Sequence, residues 1–420
     1  MRLLILGINY APEIISTAVY TTGLAQAMSS TGHEVVVVAA QPYYPAWRIF
    51  DGYPKYRHQS ESSGSGPAVI RCPHFVPQNP TGAKRILHHL SFALSAMPPM
   101  IWQGLRHRPD VVFVVAPSLI SAPLGWIVAR LAGAKCWLHV QDFEVEAGFA
   151  TGLLHEHGLL GRLAQRFEAW IFRRFDKIST ISEPMLAKLV AKGLERERVF
   201  ELRNWADLSR IAPLAKCSPL RQSLAISTRH VALYAGNIGN KQGLEILPEL
   251  ARRLSHRDDL TIAICGDGPF LPELKRLSHG LRNVRFFPLQ PVAQLNNLLG
   301  MATVHLLPQI AGAADLVLPS KLTNMLASGR PVLATADRDT ALAREVAGCG
   351  VVVPPADEAA FAAALENLLD SPETRDALGT AARARALERW DGTRILKRFN
   401  AELEALVSRL QAATVDVDTG

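Results

Sequence analysis

The stretch Leu233-Tyr234-Ala235-Gly236-Asn237-Ile238-Gly239-Asn240-Lys241-Gln242-Gly243-Leu244 decides the fold. An apolar run ends in a glycine-rich turn, and a helical pattern follows. Glycine lets the backbone approach a phosphate, a helix N-terminus offers unpaired N–H groups and a positive dipole end, and Lys241 adds a full charge. The same residues also suit a plain β–α turn that needs glycine for geometry alone. Under either reading the unit is strand, turn, helix, the repeating element of a parallel sheet.

Working outward, the same grammar runs through the second half, with strands predicted at 230–235, 260–265, 283–287, 303–307, 331–334 and 350–353. The first half carries it too, at 2–7, 34–40, 68–71, 111–115, 135–140 and 177–180, with helical stretches such as 17–31 and 120–132. Near-continuous Val/Ile/Leu strands separated by helices indicate parallel sheets covered on both faces. The chain is α/β, two Rossmann-like halves facing one cleft. The stretch 206–219, with two prolines and few strand signals, is the expected hinge. The division is a first Rossmann-like domain over 1–208, a second over 209–390, and a helix and tail over 391–420 that can return to the first domain.

A chain of 420 residues is comfortable for two cores, and 48% hydrophobic with 20% charged residues is an ordinary globular composition. The net charge of +7 points to an anionic partner, a nucleotide or an anionic lipid surface. Nucleic acid ranks last, because the cations are scattered and no recognition motif accompanies them. Cys72, Cys136, Cys217, Cys265 and Cys349 are odd in number and form no C-x-x-C pair, which disfavours zinc and a disulfide framework and fits a reducing cytoplasm. No apolar stretch is long enough to span a bilayer.

Polar residues at strand ends are the candidate site. Ile264-Cys265-Gly266-Asp267-Gly268-Pro269 is a second strand-end turn, for which structure is the simpler reading. In Pro319-Ser320-Lys321-Leu322-Thr323-Asn324-Met325-Leu326-Ala327-Ser328-Gly329, Ser320 is placed as an N-cap and Gly329 as a C-terminal stop. Leu322, Met325 and Leu326 form the buried stripe. Lys321 in the first turn opposes the helix dipole, which makes sense if an anion sits there; the alternative is a solvated lysine. His139-Val140-Gln141-Asp142-Phe143-Glu144 follows a buried strand. His139 can be a satisfied core histidine, whereas Asp142 and Glu144 point to the site. Asn9-Tyr10-Ala11-Pro12-Glu13 likewise follows the first strand. Residues 84–108 mix Lys84, Arg85, His88, His89, Arg106, His107 and Arg108 with large apolar residues. They read either as interfacial helices broken or kinked at Pro98-Pro99 or as core-facing helices with a solvated edge.

Together these segments resemble glycosyltransferase family four, of the GT-B fold, over nearly the whole chain. The resemblance rests on Tyr10-Ala11-Pro12-Glu13, Gly32-His33-Glu34-Val35, Arg203-Asn204-Trp205-Ala206-Asp207, Gly236 to Gly243, Gly266-Asp267-Gly268-Pro269 and Ala327-Ser328-Gly329-Arg330-Pro331-Val332. Within the family the chain is most similar to fucosyltransferases of colanic-acid assembly. That likeness rests on Gly7-Ile8-Asn9-Tyr10, Pro42-Tyr43-Tyr44-Pro45, Arg71-Cys72-Pro73, Gly236-Asn237-Ile238-Gly239, Phe287-Pro288-Leu289-Gln290 and Leu318-Pro319-Ser320-Lys321-Leu322-Thr323-Asn324. The resemblance implies retaining transfer from a nucleotide sugar, GDP-fucose for that branch, without a tightly bound metal or other cofactor. It also implies an undecaprenyl-diphosphate-linked glycan acceptor, exopolysaccharide assembly, and a peripheral position at the cytoplasmic side of the inner membrane.

Three motifs depart from the family pattern. Its G-R-x-x-x-x-K-G loop has Asn237 and Gln242 here, with Lys241 one place earlier. Its two glutamates, eight apart, fall on Leu316 and Asn324. The paired glycines of its first loop are missing, with Ser16 and Ala18 nearby. The assignment is therefore Lys241 and Lys321 as cations for the leaving diphosphate, with Asp142 and Glu144 orienting the sugar or the acceptor hydroxyl. Gly7, Asn9, Tyr10, Gly236, Asn237, Gly239, Gly266, Gly268, Ser320 and Asn324 are the expected binding residues for the donor, with Asn324 at its ribose. No metal site is expected. Asp337 and Asp339, like Asp416 and Asp418, form D-x-D patterns without convincing ligand spacing. The rival readings are a nucleotide-sugar epimerase, a nicotinamide dehydrogenase suggested by Gly236-x-x-Gly239 with Asp267, and a non-catalytic carbohydrate-binding protein.

Overall fold

The computed structural model describes the chain except residues 63, 65, 151–154, 156–157, 240–241, 311–318 and 419–420, together with the side chains of 150 and 409–418. The chain forms two compact units, Met1–Arg203 with Thr393–Gly420, and Asn204–Gly392. Each is built on its own sheet.

The first unit contains β1 (Arg2–Gly7), β2 (Glu34–Ala40), β3 (Gln59–Glu61), β4 (Ala68–Cys72), β5 (Val111–Ala116), β6 (Lys135–Val140), β7 (Lys177–Thr180) and β8 (Val199–Glu201). They stand in the order β3-β4-β2-β1-β5-β6-β7-β8, all parallel except β3 against β4. The register runs Leu3↔Val35 on one side of β1 and Leu3↔Val111 on the other. Val111 to Ala116 is buried at every position, as a strand covered on both faces must be. The strands β3 and β8 were absent from the sequence reading. Both have three residues and stand at the sheet's edges, too short for periodicity to reveal.

The second unit contains β9 (His230–Ala235), β10 (Leu260–Cys265), β11 (Val284–Phe287), β12 (Val304–Leu307), β13 (Val332–Thr335) and β14 (Gly350–Val353). Its order is β11-β10-β9-β12-β13-β14, parallel throughout. The chain winds outward in one direction from β9 and in the other from β12, so the switch point lies at the carboxyl ends of these two strands. The corresponding point in the first unit lies between β1 and β5. Loops that follow such strands splay apart and leave a crevice for a ligand.

The segment 206–219, read as a hinge, belongs to the body of the second unit. Ala206 N–H donates to Trp390 O at 2.9 Å, and Ile211 is buried in the cluster of Leu322, Leu326 and Trp390. The helix Gly392–Asp418 belongs, from Thr393 onward, to the first unit. Phe399 there packs at 5.5 Å from Phe113 and 5.0 Å from Trp137, and Glu402 pairs with Lys177.

Of the break or kink expected at Pro98-Pro99, the break does not occur: one helix runs Gly82–His107 through both prolines. Each proline removes a backbone donor. Buried Phe92, Ala96 and Met100 on the core side compensate by tertiary packing. Among the described residues no helix is long and apolar enough to cross a membrane.

Candidate functional site

The Gly236 loop leaves β9 at the switch point. Gly236 has φ of 145°, and Gly266 and Gly268 have φ of 155° and 154°. A Cβ on Gly266 would fall on the carbonyl oxygen of Gly236, and one on Gly268 on that of Ile238. The glycines at 266 and 268 therefore allow two strand-end turns to lie against each other. Ile238 N–H donates to Asp267 O at 2.8 Å and Phe270 N–H to Ile238 O at 3.0 Å, stitching them together. The Gly239 N–H, read as a phosphate donor, is given to Gln242 Oε1 at 2.8 Å. Gln242 thus occupies the family's lysine position as a brace on the loop. Lys241 lies outside the described residues.

Lys321 comes to this loop from the helix Lys321–Ala327. Its Nζ donates to the Tyr234 hydroxyl at 3.0 Å and lies 4.1 Å from that ring's centroid. Tyr234 O–H in turn donates to Asn237 O at 2.6 Å. A Cβ on Gly236 would only touch Lys321 Cδ at 3.4 Å and Nζ at 3.7 Å, ordinary contact distances, so it is the backbone φ of 145° that calls for glycine beside the ammonium. Among the described residues no carboxylate pairs with Lys321. Burial lowers its pKa from 10.5 to about 7. A part-desolvated lysine held by a ring face and one hydroxyl is a cation prepared for an anion.

The helix itself departs from expectation at its start. Ser320 is already helical, with φ of −57°, and its side chain makes no capping bond. Its carbonyl instead accepts the Thr323 hydroxyl at 2.9 Å. Leu322, Met325 and Leu326 are buried as read, and Gly329 stops the helix at φ of 66°. Asn324 lies one turn from Lys321, half-buried.

In the first unit, Gly7 ends β1, where an added Cβ would meet Val115 at ordinary contact distance. Asn9 is buried, its Nδ2 donating to Glu13 Oε2 at 3.0 Å. Glu13 also accepts the N–H groups of Tyr43 and Tyr44 at 3.0 and 2.8 Å, and burial raises its pKa. Tyr10 lies 5.5 Å from the guanidinium of Arg71, which forks onto Glu61 at 3.1 and 3.2 Å. The observed partners of Asn9 and Tyr10 are thus internal braces of the loop after β1. Glu13, Arg71 and Tyr234 received no role from the sequence. Only an acidic or basic residue embedded in apolar surroundings signalled the first two.

His139 is a core residue. Its Nδ1 faces Ser179 Oγ at 2.9 Å, its ring stacks on Phe113, and burial lowers its pKa to about 3. Asp142 is exposed after β6. Glu144 Oε1 accepts the Leu119 N–H at 2.6 Å, tying the turn after β6 to the loop after β5. Burial first, then the charges of Asp142 and Glu168, raise the Glu144 pKa to about 7. Among the described residues no group of three or more His, Cys, Asp and Glu side chains could hold a metal ion.

Two parallel α/β units, each with open switch-point loops, one presenting a lysine against a glycine turn, have the architecture of GT-B transferases. Residues 17–205 match the glycosyl transferase 4-like domain and residues 219–385 the glycosyl transferases group 1 domain. The putative colanic acid biosynthesis glycosyl transferase WcaI of Escherichia coli is 38% identical over 410 residues, 95% of this chain and 98% of that protein. Among solved structures, sucrose-phosphate synthase from Thermosynechococcus elongatus superposes with a TM-score of 0.77 at 15% identity, covering 97% of this chain and all of that one. Anabaena HepE in complex with UDP-glucose gives 0.67 at 16% identity, covering 96% and 100%. The chain belongs to the glycosyltransferase group 1 family and is a glycosyltransferase, which sets aside the epimerase, dehydrogenase and non-catalytic readings.

Proposed function

We propose that this glycosyltransferase moves fucose from GDP-fucose to an undecaprenyl-diphosphate-linked glycan, with retention, in assembly of a colanic-acid-like exopolysaccharide. The observation that carries the donor half is Lys321 Nζ at the Gly236 turn, 3.0 Å from the Tyr234 hydroxyl. When the bond between the anomeric carbon and the diphosphate breaks, negative charge appears on the leaving oxygen. A cation already desolvated and positioned stabilises that charge more than it stabilises the bound donor. The leaving phosphate then takes the acceptor proton, so a front-face route needs no side-chain nucleophile. Glu144, with its pKa raised to about 7, and Asp142 orient the acceptor hydroxyl. The likeness to the colanic-acid relative supports the pathway, and the HepE complex supports a nucleotide-sugar ligand for the fold.

A peripheral position at the membrane belongs to the same reading, because a polyprenyl-linked acceptor stays in the bilayer. The helix Gly82–His107 exposes Ile86, Leu87, Leu90, Leu94, Met97, Trp102 and Leu105 beside Lys84, Arg85 and Arg106. His88 is buried against Tyr43 and His74 and takes no part in that face.

The test offers GDP-fucose, GDP-mannose and UDP-glucose with lipid-extracted acceptor and follows nucleotide release and the product's anomeric configuration. Acceptor-dependent release from GDP-fucose with a product that keeps the donor's own β configuration is expected. Turnover of UDP-glucose alone, or inversion, overturns the reading.

A further inference from the structure

The second unit holds a cavity of 390 Å³ remote from the Gly236 loop. His230 opens β9, Thr303 precedes β12 and Pro331 precedes β13, and all three line it. The cavity therefore sits at the amino edge of the sheet, whereas the Gly236 loop sits at the carboxyl edge. Six residues of strand separate them, about 20 Å at roughly 3.3 Å per residue.

Five cations line this cavity, Lys216, Arg221, Arg229, Arg330 and Arg375, with Asp376 as its carboxylate. Among the described residues none of the five forms an ion pair with a carboxylate. Arg221 is held by the carbonyls of Thr228 and Arg229 at 2.6 and 3.1 Å, and Arg375 by those of Leu368 and Leu369 at 2.7 and 2.5 Å. Carbonyls fix the direction of a guanidinium without neutralising it. Arg330 Nε is buried without a hydrogen-bond partner. His230 lies 3.6 Å from Asp259.

The charges oppose one another. Burial comes first in lowering the pKa of Arg375, and Arg229 lowers it further against Asp376 and Asp370. Burial likewise leads for His230, with Arg375, Arg229 and Arg257 adding to it against Asp259. Like charges converging on a cavity raise the free energy of the folded state, and an anion that enters removes that repulsion. Guanidinium forks match phosphate oxygens in pairs, and a phosphate carries enough charge to balance more than one cation. The volume falls within the roughly 300–1,000 Å³ range of small-molecule sites and leaves space beyond a bare phosphate.

We propose that this arginine-lined cavity binds a phosphorylated small molecule of sugar size, at a second ligand site separate from the donor loop. It stands independently of the donor assignment.

Cys217 supplies the readout, since it lines the cavity and is exposed, whereas the other four cysteines are buried. Modification of the full chain by N-ethylmaleimide is timed at fixed ionic strength with a hexose 6-phosphate, the same hexose, inorganic phosphate or sodium chloride as probe. A ligand that blocks the thiol slows the reaction about tenfold at ten times its Kd. Saturable slowing by the hexose phosphate and none by the hexose is expected. The slowing persists in Lys321→Ala and disappears in Arg330→Gln and Arg229→Gln. Arg229 is exposed, so that variant keeps the test alive if Arg330→Gln does not fold. Equal slowing by inorganic phosphate overturns the sugar-sized ligand, and equal slowing by chloride, or slowing that survives both arginine substitutions, overturns the site.

Discussion

The Lys321 ammonium lies 4.1 Å from the centroid of the Tyr234 ring and 3.0 Å from its hydroxyl oxygen. These contacts hold the cation without neutralising it. Losing one preorganised donor to a developing charge typically costs about 2.7–4 kcal/mol, a hundred- to thousand-fold in rate. Lys321→Ala is expected to reduce kcat by that factor with the fold intact by circular dichroism. Lys321→Arg recovers only part, because a planar fork does not replace a point charge. Near-normal turnover of Lys321→Ala would remove Lys321 from the site.

The same lysine sets a pH dependence. Its folded pKa, about 7, is below the ordinary 10.5, so between these values the unfolded chain binds more protons than the folded one. Its burial penalty is fully present below pH 7 and is relieved as pH rises toward 10.5. If Lys321 meets the diphosphate as proposed, the protonated form is the one that binds, so GDP affinity is expected to fall as pH climbs through 7. Calorimetric titration with GDP from pH 6 to 9 checks this. An unchanged Kd across the range, or the same slope in Lys321→Met, contradicts it.

Glu144 behaves in the opposite sense. With its carboxyl raised to about 7, the folded chain binds the extra proton between the ordinary 4.5 and 7. Its contribution is most favourable below 4.5 and declines as pH rises through that window. Glu144→Gln keeps an oxygen for the Leu119 N–H and carries no charge, so its stability relative to wild type should grow from pH 5 to pH 8. Glu144→Ala leaves that amide unpaired and should lose about 1–3 kcal/mol. Urea midpoints at both pH values decide this, and a Gln variant that is less stable at pH 8 refutes it.

Most strands were legible because a parallel strand covered on both faces must be apolar at each position, as Val111 to Ala116 is. The edge strands Gln59–Glu61 and Val199–Glu201 were illegible because half-covered, three-residue strands need no such pattern. Lys321 was legible by its conflict with the helix dipole. Tyr234 was not, since an aromatic residue near the end of a buried strand looks like core until its hydroxyl is seen to meet Lys321 and Asn237. The cavity's cations come from three stretches far apart in the chain, 216–229, 330 and 375, so no linear motif could announce them.

Transfer should not need a divalent cation. On the proposed reading Lys321 meets the charge on the diphosphate, and Asp337 and Asp339 flank Arg338 in a loop after β13. Activity is expected to survive EDTA. Complete loss restored by magnesium or manganese would contradict this and direct attention to Asp337 and Asp339.

The last expectation concerns the helix Gly82–His107. Its core side carries Phe92, Ala96, Met100 and Gly104, all buried, and Gly104 lets Val128 of the helix Ala122–Ala132 approach closely. The other side leaves Leu94 56% and Trp102 62% exposed, and the adjoining helix adds Ile127 and Leu131. Large apolar residues exposed beside Lys84, Arg85, Arg106 and Arg130 suit the boundary of an anionic bilayer, where the side chains enter the acyl region and the cations meet headgroups. Both contributions must be present for binding at moderate salt. The full chain should therefore co-sediment with vesicles containing phosphatidylglycerol and remain free of phosphatidylcholine vesicles. Leu94→Glu with Trp102→Glu should abolish sedimentation even at low salt, while Lys84→Gln with Arg85→Gln should weaken it and reduce its salt dependence. The exposed positions of Leu94 and Trp102 make the first pair harmless to folding. Failure of the wild-type chain to sediment with anionic vesicles at low salt would leave this face without the membrane role.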